Sequence, residues 1–206
     1  MQQALNLRAR RKSYIDLAKR RVRRGSGSSK TFLARRTSKG RPSMLSDVFK
    51  KTPFVVVGGV ATRLYMPERM TMDIDIMVLT EDREICEHEL AQAGFRKLGD
   101  LSIGGATWQF PDGAELDVIF SDAPWAREAV ANPVLDAEGI PTIPLPNLVV
   151  MKLYPGRVQD IADITRMLGA ANEEQLQQVR QAVEKYIPDA LEDIESMIVL
   201  GKMEYE

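Results

Sequence analysis

Residues 72–79, Met-Asp-Ile-Asp-Ile-Met-Val-Leu, restrict the fold more than any other stretch of this chain. A run so rich in apolar and β-branched residues reads as a buried strand, in which alternate side chains project to opposite faces. Met72, Ile74, Ile76 and Val78 then occupy one face, and Asp73, Asp75 and Met77 the other. Two carboxylates side by side are costly, so their presence needs an explanation beyond packing.

The flanking segments supply a sheet around them. Phe54-Val-Val-Val57 reads as a second buried strand that runs into a tight turn at Gly58-Gly59, and Leu45–Phe49 as its helical lead-in. Val60–Tyr65 is a short helix stopped by Pro67, with Thr62 and Arg63 within it, shortly after the glycine pair. Thr80 is the expected cap of a helix that runs to about Ala93 and stops at Gly94. Ala106–Phe110, the turn Pro111-Asp-Gly113 and Ala114–Phe120 form a hairpin. Its Trp108 and Phe110 share a core face. In its second arm Glu115, Asp117 and Ile119 share a face, so that a third carboxylate, Asp117, projects beside Asp73 and Asp75, while Glu115 flanks the turn in solvent.

Residues 121–146 hold five prolines and read as a winding connection with a short helix or strand. Helices follow at Leu148–Tyr154 with Asn147 as cap, then, after the Pro155-Gly156 break, at Val158–Leu168, Glu173–Tyr186 and Asp189–Leu200, with Asn172 capping the third and Pro188 opening the fourth. The expected fold is α+β: a mixed sheet with flanking helices over residues 44–146, and a C-terminal helical region over 147–206.

Charge sets residues 1–43 apart. Residues 1–51 hold 16 Lys and Arg against Asp16 and Asp47, whereas residues 52–206 hold 12 against 27 acids. Residues 1–43 therefore read as a flexible basic extension in which residues 4–22 can form a helix with a ragged apolar side, followed by a linker at Gly25-Ser-Gly-Ser-Ser29. A nucleic-acid or acidic-partner surface, a solvated tail, an Arg-rich targeting peptide and translated sequence upstream of a start at Met44 all fit this composition. Lys30-Thr31 follows Ser29 where a phosphate loop needs glycine, so no such loop is read there.

Apolar runs such as Phe54–Val57 and Met197–Leu200 are far shorter than the ~20 residues of a membrane helix, and the expectation is a cytoplasmic protein without membrane contact. One cysteine, Cys86, and one histidine, His88, exclude an internal disulfide and a Cys/His zinc site. Both lie mid-helix between glutamates and read as bystanders.

Three carboxylates on adjacent strands suit one or two Mg²⁺ or Mn²⁺ ions, hard cations that prefer oxygen ligands and bridge to substrate phosphates. Gly58 and Gly59, without side chains, let backbone N–H groups approach those phosphates. On Gly58-Gly59, Asp73-Ile-Asp75 and Asp117 the sequence resembles the DNA polymerase β nucleotidyltransferase superfamily. Within it the chain is similar to the small prokaryotic AbiEii-type and minimal nucleotidyltransferases, through Arg69-Met-Thr71-Met-Asp73-Ile-Asp75, Met151-Lys152-Leu153, Arg157, Gln159-Asp160 and Asp163, over about residues 53–168.

The resemblance implies transfer of a nucleoside monophosphate from an NTP, with Asp73, Asp75 and Asp117 catalytic and metal-binding. It implies nucleotide contacts from Gly58, Gly59, Thr62, Arg63, Thr71, Lys152, Arg157 and Asp160, with Asp160 holding the site together or acting as an acid or base. Acceptors in such families are tRNA, a protein hydroxyl or small molecules such as aminoglycosides, and many members are toxins paired with an antitoxin protein. Gln159-Asp160 stands where the family has Lys-Asp, and Pro155-Gly156 interrupts the helix after Lys152. Without the resemblance, Lys152 reads as a solvated helix cation and Asp160 and Asp163 as an exposed helix face. The alternative function is a nucleotidyltransferase-like domain without turnover that binds nucleic acid or a partner protein.

Overall fold

Phe54–Val57 forms strand β1, buried along its whole length, in a computed structural model that describes residues 2–22, 41–66 and 73–205, with side chains from residue 6 in the first stretch and 44 in the second. Among the described residues two compact units emerge, one comprising 41–64 and 73–144, the other 2–22, 65–66 and 145–205.

The first unit is built on strands β1, β2 (Ile74–Leu79), β3 (Arg96–Asp100), β4 (Gly105–Gln109), β5 (Glu115–Ser121), β6 (Val134–Leu135) and β7 (Pro141–Thr142), in the spatial order β3-β4-β5-β2-β1-β7-β6. The sheet is mixed: β2 runs antiparallel to β1 and parallel to β5, and β5 pairs antiparallel with β4 across the expected hairpin. Alternation in β2 holds as read, since Ile74, Ile76 and Val78 join Leu116, Val118, Phe120, Ala106 and Trp108 in one buried cluster. A helix at Arg83–Gln92 and another at Arg41–Val48 cover that cluster with Cys86, Leu90 and Leu45. Val55, Val57 and Met77 are buried outside the cluster, and the helix Pro124–Ala131, which contacts β1 and β2, buries Trp125, Ala126 and Ala129.

Two cap readings are corrected, and two segments gain detail. The helix after β2 begins as a 3-10 turn at Thr80–Asp82 with no side-chain cap, so Thr80 does not cap it. Arg96–Asp100 is a strand although every residue is exposed, because an edge strand hydrogen-bonded to β4 needs no apolar alternation. The helix at Leu145–Leu153 starts ahead of Asn147, which is buried inside it rather than capping it. Residues 121–146, expected to wind with a short helix or strand, hold both a helix and two short strands.

The loop ahead of β1 is gripped by one carboxylate. Glu89 accepts from the backbone N–H of Lys50 and Lys51 at 2.9 Å, from that of Thr52 at 3.2 Å and from the Thr52 hydroxyl at 2.7 Å. This clasp fixes where β1 begins, and hence where it delivers Gly58 four residues later.

In the helical unit, numbered along the whole chain, α1 is Gln2–Arg21, α2 Arg41–Val48, α3 Gly58–Thr62, α4 Arg83–Gln92, α5 Pro124–Ala131, α6 Leu145–Leu153, α7 Val158–Ala170, α8 Glu173–Tyr186 and α9 Leu191–Tyr205, of which α1 and α6–α9 belong to this unit. Asn172 caps α8 as read, accepting from Gln175 N–H at 2.9 Å. Helices α7 and α9 approach until backbones touch: a Cβ added at Gly169 would lie 2.6 Å from Gly201 C. Residues 2–21 of the basic stretch form α1, which contacts α7 and α9; the Gly25–Ser29 linker reading lies outside the described residues. Among the described residues no helix is long and apolar enough to cross a membrane.

Candidate active site

One row of residues crosses four neighbouring strands. Val57 pairs in register with Asp75, Asp75 with Asp117, and Asp117 with Thr107. The parallel pairing of β2 with β5 thus sets the two carboxylates directly beside each other on one face, both half-buried. Asp73, two residues earlier and therefore on the same side, is exposed just before β2.

Each carboxylate is located by a different device. Thr107 Oγ1 donates to Asp117 Oδ1 at 2.7 Å. Asp75 lies against the turn after β1: Gly58 has φ +61°, and a Cβ there would be 2.6 Å from Asp75 Cγ and 3.0 Å from Asp75 Cβ. Glycine is required twice at this position, for the left-handed backbone and for the space that Asp75 fills. Gly59 is buried, and the fully buried Thr62 donates its hydroxyl to Gly59 O at 2.7 Å. That hydroxyl secures the short helix α3. Arg63 follows α3, half-buried. Thr71, with Arg69 and Met72, lies outside the described residues.

The sequence reading missed Thr107. Its signal was present in the hairpin, since pairing counted outward from the turn residue Asp112 sets Thr107 opposite Asp117.

Asp75 and Asp117 offer hard oxygen ligands of the kind Mg²⁺ and Mn²⁺ take, so the donor chemistry fits such an ion. The expected three-carboxylate set is not drawn together as one group: among the described residues, no three His, Cys, Asp or Glu side chains stand grouped to hold a metal. Phosphate oxygens from a substrate would have to complete the shell.

No family model and no curated protein matches this chain. Solved structures do. The antibiotic-resistance factor ANT(2'')-Ia in solution has 19% identity and a TM-score of 0.41 over 80% of this chain and 89% of its own. The crystal structure of ANT(2'')-Ia with adenylyl-2''-tobramycin has 17% identity and a TM-score of 0.43 over 80% and 95%. The Thermotoga maritima CCA-adding enzyme complexed with tRNA has 16% identity and a TM-score of 0.39 over 85% of this chain and half of its own. The similarity is one of fold alone.

The remaining residues of the sequence reading lie in the helical unit and form a network of their own. Lys152 is buried, with Nζ donating to Asp163 Oδ2 at 2.8 Å and lying 3.6 Å from Asp160 Oδ1. Asp163 Oδ1 accepts from Gln159 Nε2 at 2.8 Å. Asp160 Oδ2 accepts from Arg157 N–H at 3.2 Å and from Arg157 Nε at 2.7 Å, which closes the first turn of α7. Asp160 and Asp163 are thus buried rather than an exposed helix face, and Lys152 is an interior cation rather than a solvated one. Among the described residues this network holds Lys152 in ion pairs; its expected contact with nucleotide phosphates would require it to leave or extend them.

Cys86 is fully buried, and burial, reinforced by Glu87, Glu89 and Asp82, pushes its thiol up to about 12, so it stays protonated. His88 is exposed on α4.

Proposed function

We propose that this chain is a Mg²⁺- or Mn²⁺-dependent nucleotidyltransferase that moves a nucleoside monophosphate from an NTP to a hydroxyl acceptor in RNA or protein. The observation that carries this reading is the in-register pair Asp75 and Asp117 beside the Gly58 turn. Adjacent half-buried carboxylates destabilise an empty fold and become favourable when a cationic reaction centre faces them.

The reaction forms a bond between the acceptor oxygen and the α-phosphorus, breaks the bond from that phosphorus to the bridging oxygen, and releases pyrophosphate. Asp75 and Asp117, completed by substrate phosphate oxygens, would hold the metal, which when bound supplies charge neutralisation for the triphosphate and acidifies the acceptor hydroxyl; a ligand role for Asp73, exposed just before β2, rests on the family resemblance of the motifs. Asp117, with Oδ1 held by Thr107, keeps Oδ2 for the metal or for the acceptor proton. Gly58 is half-buried, so nucleotide phosphates would approach the backbone of the turn there, while a contact from the buried Gly59 rests on the family resemblance of the motifs. Roles for Arg63, Thr71, Lys152, Arg157 and Asp160 toward the nucleotide, and a toxin role with an antitoxin partner, rest on the family resemblance of the motifs.

The test is transfer of label from each of four α-³²P NTPs with Mg²⁺ onto tRNA, onto protein and onto a small-molecule panel. Label with wild type that falls roughly 10³-fold in Asp117→Asn supports the reading and identifies the acceptor. Absence of both label and NTP binding overturns it in favour of a binding protein without turnover.

A further inference from the structure

Helix α1 carries two faces of different character. Leu7, Arg11, Tyr14, Ile15, Ala18 and Val22 recur at helical spacing and are the covered residues of the helix. Arg11 is the anchor: although a cation, it is 3% exposed, with Nε on Asp193 Oδ2 and Nη2 on Asp189 Oδ2, both at 2.9 Å. Its stem packs against Gly156, where an added Cβ would meet Arg11 Cγ at 3.2 Å. At the margins of this face Arg10 donates to Pro155 O, Lys19 to Ser196 Oγ at 3.1 Å, and Arg8 lies 3.8 Å from Glu192.

Lys12, Arg20 and Arg21 remain. All three are exposed, and none makes an ion pair among the described residues. They span ten residues, nine helical steps or about 14 Å of helix axis, with Lys12 and Arg21 on opposite flanks of the exposed side and Arg20 between them. The last turn, Lys19–Arg21, is where cations suit the helix dipole, but Lys12 lies outside it and has no such reason. The outer face holds one acid, Asp16, and one large apolar residue, Leu17. A protein partner would want a desolvated apolar centre there; a phosphodiester backbone needs only spaced cations. The remainder of the chain, residues 52–206, carries 27 acids against 12 cations and repels a polyanion, so α1 is the described element on which one can settle.

We propose that the outer face of α1 binds a nucleic-acid strand through its phosphates, with α1 held as a rigid element by the Arg11 ion pairs. This inference stands apart from the nucleotidyltransferase reading, and its test uses no NTP.

The experiment is fluorescence-anisotropy titration of labelled tRNA and labelled duplex DNA with the full chain across a salt series, wild type against Lys12→Glu/Arg20→Glu/Arg21→Glu, with polyglutamate as a competitor. Circular dichroism checks that the variant keeps its helix content. Expected is salt-sensitive binding of at least one nucleic acid, weakened more than tenfold at 100 mM salt in the triple variant. For the duplex DNA, the slope of log K against log salt should be shallower by about 3, from three lost phosphate contacts. The tRNA and DNA arms tell which nucleic acid is preferred. Equal binding by variant and wild type, no binding of either nucleic acid, or displacement by polyglutamate at equal charge would each overturn the proposal, the last in favour of an acidic protein. Binding that responds as expected in a protein that transfers no label would leave this inference standing and remove the other.

Discussion

Gly58 and Asp75 share one space: the carboxyl carbon of Asp75 stands where it would be only 2.6 Å from a Cβ on Gly58, next to the Val57–Asp75 register pair that ends β1. The glycine turn and the acidic strand are therefore one device, in which the missing side chain of the turn admits the carboxylate of the strand.

Gly58→Ala should lose activity and stability together. The methyl group would displace Asp75 and force alanine into a left-handed backbone that costs about 1–2 kcal/mol by itself. Nucleotidyl transfer is expected to fall at least about a hundredfold, with a lower Tm, whereas Gly113→Ala, also at positive φ but with open space around it, should lower Tm and leave transfer intact. Equal transfer by the two variants would refute the coupling.

Thr107 acts through Asp117 and is a positioning residue. Thr107→Val removes the 2.7 Å hydrogen bond at nearly constant volume and should lower kcat about 10- to 100-fold while raising the Mg²⁺ concentration needed for half-maximal rate. Thr107→Ser should restore both. A Mg²⁺ requirement unmoved in Thr107→Val would show that the hydroxyl only supports the strand.

Lys152→Met should destabilise the protein by about 3–5 kcal/mol, because Asp163 is left buried and charged. Lys152→Met/Asp163→Leu should recover most of that loss in urea unfolding. In the recovered variant the KM for NTP separates the two roles of Lys152: an unchanged value means packing alone, and a rise of tenfold or more means that the ammonium also reaches the nucleotide.

Stability should decline in acid partly through Glu89. Burial pushes this carboxyl up, but the Thr52 hydroxyl and the N–H groups of Lys50, Lys51 and Thr52 outweigh it and hold Glu89 below its ordinary value. A carboxyl depressed in the folded state contributes stability that is full above the unfolded value, about 4.3, and is lost as pH falls through the folded one. Glu89→Gln should therefore lower the unfolding free energy from urea titration at pH 7 by roughly 1 kcal/mol, and differ little from wild type near pH 2. A constant gap at both pH values would argue against the clasp.

Much of the architecture was legible in residue order because it rests on local periodicity. The alternation in residues 74–79 determined which face Asp75 occupies, the valine run and Gly58-Gly59 marked a strand and its turn, and Pro111-Asp-Gly113 marked the hairpin. Periodicity says which way a side chain faces but not which strand lies beside it. The parallel pairing of β2 with β5, which makes Asp75 and Asp117 neighbours, joins segments about 40 residues apart and was decided by tertiary packing. The same holds for β3, an edge strand held by hydrogen bonds to β4 alone, and for Arg11, Lys152, Asp160 and Asp163, four charges that look solvated in sequence. Their burial became affordable only when partners distant in the chain, or one or more helical turns away, were brought within hydrogen-bonding reach, since an ion leaves water only where another charge replaces it.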